Sequence, residues 1–174
     1  MATTINDEFM QQIATEQAWK ELSENFAWTE TLLEKYCDKV DWEEISANTN
    51  IIWTIPMLQK FSKKVDWKRL SGQVYGSVEW FTEAHLEEFK DKWDWTLLSN
   101  NISLITENTI DKFIDYWDWD ALIDGSHYFK DFDNAISFFN KYKDRIQMSK
   151  LQDTVLWQRI IEQTAEQIES EIMS

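Results

Sequence analysis

Four copies of one tryptophan-centred pattern constrain the fold of this chain more than any other feature. Val40-Asp41-Trp42, Val65-Asp66-Trp67, Trp93-Asp94-Trp95 and Trp117-Asp118-Trp119 are followed, three residues after the second tryptophan position, by Ile45, Leu70, Leu98 and Leu122. The signature tryptophans are 25, 28 and 24 residues apart. A period of that length means that one small unit is reused, and such a unit buries its apolar face only by stacking on its neighbours.

Each copy extends backwards without a gap to Trp28-Thr29-Glu30, Trp53-Thr54-Ile55, Phe81-Thr82-Glu83 and Ile105-Thr106-Glu107. Between these ends Leu33, Leu58, Leu86 and Ile110 share a column, as do Tyr36, Phe61, Phe89 and Phe113. Apolar positions three and four residues apart make a helical stripe. The threonines stand where an N-cap belongs, Glu30, Glu83 and Glu107 suit the positive end of the helix, and Pro56 falls in a first turn where its missing N–H costs little. Each signature Asp is a second N-cap, and Asp41 with Glu44 has capping-box spacing. A short second helix follows, carrying Ser46, Ser71 or Ser99 in a cap or turn role and ending near Asn48, Gln73 or Asn101. Asn tolerates a left-handed C-terminal conformation.

Degenerate copies flank these four. Trp19-Lys20-Glu21-Leu22-Ser23-Glu24-Asn25 repeats the second helix with Ala18 in place of Asp, while Phe139, Tyr142 and Ile146 repeat the first stripe with Met148 in place of Trp. From Thr154 to Ile172 the stripe Trp157, Ile161, Ala165 and Ile168, widened by Ile160 and Ile172, predicts a helix docked on the last repeat; its other reading is a partner-binding amphipathic helix. The expected fold is all-α: a short α-solenoid of about 25-residue helix-turn-helix repeats with a C-terminal capping helix. One domain spans 1–174, divided into a partial repeat (1–25), four full repeats (26–125), a degenerate repeat (126–150) and the capping helix (151–174).

The pattern resembles short tryptophan-centred helical repeats, with a core like Asp-Trp-x-x-Leu-Ser-x-Asn, that recur in uncharacterised bacterial and giant-virus proteins. The resemblance covers roughly residues 19 to 150. It implies a helical repeat and no particular chemistry.

Composition narrows the function classes. Seventeen Lys plus Arg against 32 Asp plus Glu leave a net charge of −15, which disfavours nucleic acid and favours a basic protein surface. Gly72, Gly76 and Gly125 are too scattered for a phosphate-cradling loop. Cys37 has no second cysteine to pair with, and with His85 and His127 it does not complete a usual zinc set, so no cofactor or metal is expected. Met1 to Phe9 lacks a basic region or a signal-length apolar stretch, and no segment approaches 18 uninterrupted apolar residues, so a cytoplasmic protein without a membrane partner is expected.

Nine of the 11 tryptophans occupy repeat columns, which assigns them to inter-repeat core rather than to ligand stacking; Trp80 and Trp157 stand outside. His85 shares a column with Leu32, Met57 and Thr109 and reads as a surface or boundary residue. His127 lies in Gly125-Ser126-His127-Tyr128, read as a loop, with no visible catalytic partner. Cys37 sits in a mostly polar column and reads as incidental. Lys60, Lys63, Lys64, Lys68 and Arg69 form the one basic cluster, read either as a solvated face or as a recognition patch. The residues most suited to partner contact are the two after each signature Trp: Glu43 and Glu44, Lys68 and Arg69, Thr96 and Leu97, Asp120 and Ala121. The sequence thus points to a non-catalytic protein-binding scaffold. An acidic inhibitor or immunity-type protein that masks a basic surface of a toxin, nuclease or other nucleic-acid-binding protein comes second, and an unrecognised enzyme third.

Overall fold

A computed structural model describes residues 7–74, 79–101, 105–129 and 134–174, apart from the side chains of Asn101, Ser126 and His127. Among these residues the protein is an all-helical repeat fold with no strand. They form two compact units, Met1–Gln73 with Glu79–Lys92, and Val74–Val78 with Trp93–Ser174.

The first unit contains α1 (Glu8–Asn25), α2 (Glu30–Lys35), α3 (Trp42–Ala47), α4 (Ile55–Phe61), α5 (Trp67–Gln73) and α6 (Glu83–Glu88). Apart from α1 these helices are one to two turns long and would not persist in isolation, so packing must hold them. Thr29 and Thr54 cap α2 and α4, accepting from the N–H groups of Leu32 and Met57, and Asp41 caps α3 through Glu43 and Glu44. The turn between paired helices closes on the carbonyl of the aromatic column: Tyr36 O accepts from Lys39 and Val40, and Phe61 O from Lys64 and Val65. Second helices then pack on each other, α1 on α3 and α3 on α5. Leu33, Leu58 and Leu86 from the first stripe and Ile45 and Leu70 from the second are completely buried.

The second unit contains α7 (Trp95–Asn101), α8 (Glu107–Lys112), α9 (Trp119–Asp124), α10 (Ser126–Phe129), α11 (Ala135–Tyr142), a 3₁₀ turn (Lys143–Arg145), α12 (Met148–Leu151) and α13 (Val155–Met173). Its interior repeats the same logic, with Leu98, Ile110 and Leu122 at zero exposure and α7 packed on α9.

Trp19 to Asn25 is helical as expected, as the end of one continuous helix, because Ala18 has no side-chain oxygen with which to start a new one. Several other expectations need correction. Asn48 is extended (φ −78°, ψ 111°), not left-handed, so its role is not that of a conformational C-cap. Phe138 is buried in the degenerate repeat in place of Phe139, since α11 begins after Asn134, one residue early, and the 3₁₀ turn absorbs the difference. The segment read as a loop around His127 is the short helix α10 at the level of the backbone, and the His127 side chain lies outside the described residues. Residues 75–78 of the link between Val74 and Trp80 also lie outside them.

Helix α13 docks by only part of the predicted stripe, in which Trp157 and Ile160 are half-buried. Leu156 is fully buried, Arg159 Nε donates to Phe129 O (2.8 Å), and Gln163 Oε1 accepts from Ile136 N (3.1 Å). Leu156, Ile160 and Gln163 are spaced to share one side of a helix. Ile161, Ala165, Ile168 and Ile172 are exposed instead.

Candidate interaction surface

Within each unit, polar groups of the repeat columns are committed to joining one repeat to the next. Ser23, Ser46 and Ser99 each donate to the carbonyl of the tryptophan four residues back (2.7, 2.6 and 2.6 Å). Each also accepts the backbone N–H of the following repeat's signature Asp: Asp41 from Ser23 at 2.9 Å, Asp66 from Ser46 at 2.8 Å and Asp118 from Ser99 at 3.0 Å. The serine column is therefore a bridge between repeats, which replaces the cap or turn role expected for it. Asn48 Nδ2 donates to Ser23 O and Phe26 O, and Gln73 Nε2 in the same column donates to Ser46 O.

The signature tryptophans form the aromatic part of this joint. Trp42, Trp67 and Trp119 donate their indole N–H to Cys37 O, Ser62 O and Ile114 O. Each ring packs on the aromatic column of the following repeat, with centroids 5.1 Å apart for Trp42–Phe61, 5.0 Å for Trp67–Phe89 and 5.3 Å for Trp119–Tyr142. These tryptophans are half-buried, whereas Trp28, Trp53, Trp93 and Trp117 are buried outright. The assignment to inter-repeat packing holds, with the burial divided unevenly between columns.

The positions after each signature Trp meet in pairs. Lys20 reaches Glu44 (3.3 Å), Arg69 pairs with Glu43, and Lys150 pairs with Asp120. In each pair the first residue after one signature position meets the second residue after the next. Thr96 Oγ1 donates to Asp118 Oδ2 (2.8 Å), Lys68 is exposed, and Leu97 and Ala121 are half-buried. Five of the eight predicted contact residues thus have side-chain hydrogen bonds or ion pairs inside the protein.

A second set of charge pairs runs along the first helices. Lys60 binds Glu30 (3.0 Å) and Glu34 (2.9 Å), and Lys64 binds Asp38 (3.5 Å). In the second unit Lys141 binds Asp111 (2.8 Å) and Glu107 (3.6 Å), and Arg145 binds Asp115 (2.7 Å). The hydrogen bonds that Lys60 donates to Glu34 and Glu30 hold its ammonium above its ordinary range; those that Asp111 accepts from Lys141, then Tyr142, hold its carboxyl below its own. Exposed pairs of this kind contribute little stability, and each joins an acidic position of one repeat to a basic position of the next. Three members of the basic cluster, Lys60, Lys64 and Arg69, are engaged this way. The signal was present in the sequence: acidic positions in one copy are adjacent, by column, to basic positions in the next.

Cys37 is half-buried, with Sγ 3.5 Å from Asp38 Oδ1. His85 is buried, contrary to the surface or boundary expectation. Its Nε2 faces Trp53 O (3.2 Å), and because a carbonyl only accepts, Nε2 carries the proton. Nδ1 then accepts from Thr82 N (3.3 Å), closing the start of α6. Thr109 does the same for Thr106 N in the second unit (2.9 Å), so the column holds helix-closing side chains in both. Desolvation lowers the His85 pKa, the Trp53 carbonyl opposing it. A depressed histidine stabilises the fold fully above its unfolded pKa of about 6.5, and that contribution is lost as pH falls through the folded value. Urea denaturation at pH 7.5 and 5.5 should show a larger loss for the wild type than for His85→Thr; equal losses would exclude His85 as the titrating group.

Among the described residues no group of three His, Cys, Asp or Glu could hold a metal ion, and no helix is long and apolar enough to cross a membrane. No protein-family model, curated protein or solved structure matches the chain.

Proposed function

We propose that the protein is a non-catalytic repeat scaffold that binds other proteins. The observation that carries this reading is how the recurring groups are used: serine hydroxyls and carboxamides bind the backbone of adjoining repeats, and the signature indole rings pack on the aromatic column of the next repeat. That chemistry builds a frame, while the residues that vary between copies, such as Lys68, Thr96 and Ile52, are exposed. Stacked repeats of this kind present broad surfaces suited to protein partners.

A second reading, an acidic inhibitor that covers a basic surface, is favoured by one specific observation. Lys60, Lys64 and Arg69 are each held by carboxylates, so the basic cluster offers little uncommitted positive charge against the net −15. Co-purification from native lysate with mass spectrometric identification tests the scaffold reading, and failure to retain any protein specifically would count against it. Stopped-flow association with the purified partner between about 0.05 and 0.5 M salt separates the two. A steep fall in rate supports the inhibitor, since the Debye length drops below roughly 5 Å over that range, and a shallow one supports the ordinary scaffold.

A further inference from the structure

We propose that the exposed Ile161, Ala165, Ile168 and Ile172 face of α13 is a docking seam for an apolar helix of another protein flanked by lysines or arginines. This inference rests on the protein-binding reading and names where one partner sits.

The spacing of the four residues is i, i+4, i+7 and i+11, the period with which a helix lies along a groove. Ile161 is 50% exposed and Ile168 52%, although both belong to a well-formed helix of 19 residues. The helix is anchored elsewhere, by the Thr154 cap, buried Leu156 and the Arg159 hydrogen bond to Phe129 O. Its opposite side, with Gln163, Glu166 and Gln167, lines a polar hollow of about 480 Å³ over Asn134, Ser137 and Asn140 of the α11 region. The seam is thus turned away from the helix it docks on and already helical, which lowers the ordering cost of engaging a partner.

Charge says what the partner must carry. From Ile160 to Ser174 the chain has Glu162, Glu166, Glu169 and Glu171 and no Lys or Arg. Arg159 is spent on Glu162 (2.8 Å), and Glu169 and Glu171 flank the Ile168 and Ile172 positions. Two copies of the seam would bring only Glu and Thr to each other's flanks, so self-pairing is repelled. Membrane-surface helices carry Lys or Arg on the polar face, the opposite of this one. The same protein shows the complement that works: its acidic columns at Glu30, Glu34 and Asp38 are met by Lys60 and Lys64.

The test uses the full chain and two synthetic three-heptad peptides with identical Ile/Leu cores, one with Lys and one with Glu at both flanking positions. Fluorescence titration should show the Lys peptide binding and the Glu peptide not binding. Ile168→Ser should weaken the Lys peptide at least about tenfold. Glu169→Gln with Glu171→Gln should slow association at about 0.05 M salt several-fold more than Glu21→Gln with Glu24→Gln, which removes equal charge from α1. Circular dichroism of each variant establishes that the helices persist. Equal binding of both peptides, no binding of either, indifference to Ile168→Ser, or a self-dimer of the wild type abolished by that substitution would each overturn the seam. A partner from lysate that binds Ile168→Ser undiminished would sink the seam and leave the scaffold standing; specific seam binding with no retained cellular protein would do the reverse.

Discussion

Trp53→Ala should destabilise the protein by about 3–5 kcal/mol, while Trp53→Phe should stay within about 1 kcal/mol of the wild type. Trp53 has zero exposure, so truncation to alanine removes a large ring from the centre of the first unit and leaves a cavity that short, mutually braced helices cannot close. Its indole N–H is the one buried side-chain donor without a hydrogen-bond partner among the described residues. Trp28, one repeat earlier in the same column, donates to Leu22 O at 2.9 Å. Phenylalanine at 53 forfeits contact area but relieves the cost of a buried unpaired donor, about 1–3 kcal/mol, so the terms oppose each other at similar size. Phe81, also buried, fills this column in another repeat. Urea denaturation of both variants decides. A Phe variant as damaged as the Ala variant would mean that the indole N–H has a partner, and a mild Ala variant would mean that the repeats relax into the space.

The repeat itself was legible because a stacked array writes the same requirement into every copy. The Leu/Ile columns, the threonine and aspartate caps and the aromatic column were readable for that reason: Leu33, Leu58, Ile45 and Leu70 are all fully buried. What could not be read from a single copy was chemistry that lies between copies. Ser46 looked like a local cap residue because its hydrogen bond to the next Asp spans 20 residues, and Asn48 looked like a helix stop because its targets lie in the preceding repeat. Lys60 looked like part of a loose cluster until the acidic column opposite it was taken into account. For α13 the cause is different. Its apolar residues spread over more than one face, and periodicity cannot say which of them meet the protein.

Asn48→Ala should cost about 2–4 kcal/mol, large for a polar side chain, because it uncaps a neighbouring helix as well as removing its own bonds. The last carbonyls of α1 have no intrahelical partner. Asn48 Nδ2 supplies one for Ser23 O at 2.8 Å and for Phe26 O, just beyond the helix, at 2.8 Å, while Asn48 Oδ1 accepts the N–H of Asn50 at 2.8 Å. Asn50 Nδ2 in turn donates to Asn25 O at 2.9 Å, so the loop and the helix end are fixed together. Asn48 is 1% exposed, and water has little access to replace what alanine removes. Asn48→Asp preserves the shape but turns an acceptor toward two carbonyl oxygens, so it should be at least as damaging. Asn48→Gln should recover part of the loss, since Gln73 occupies the equivalent place and donates to Ser46 O. Denaturation midpoints that rank Gln above Ala and place Asp no higher than Ala would establish the donor as the active group. Equal losses for all three would mean that shape alone matters at this joint, and the carboxamide column would then be packing rather than a bridge between repeats.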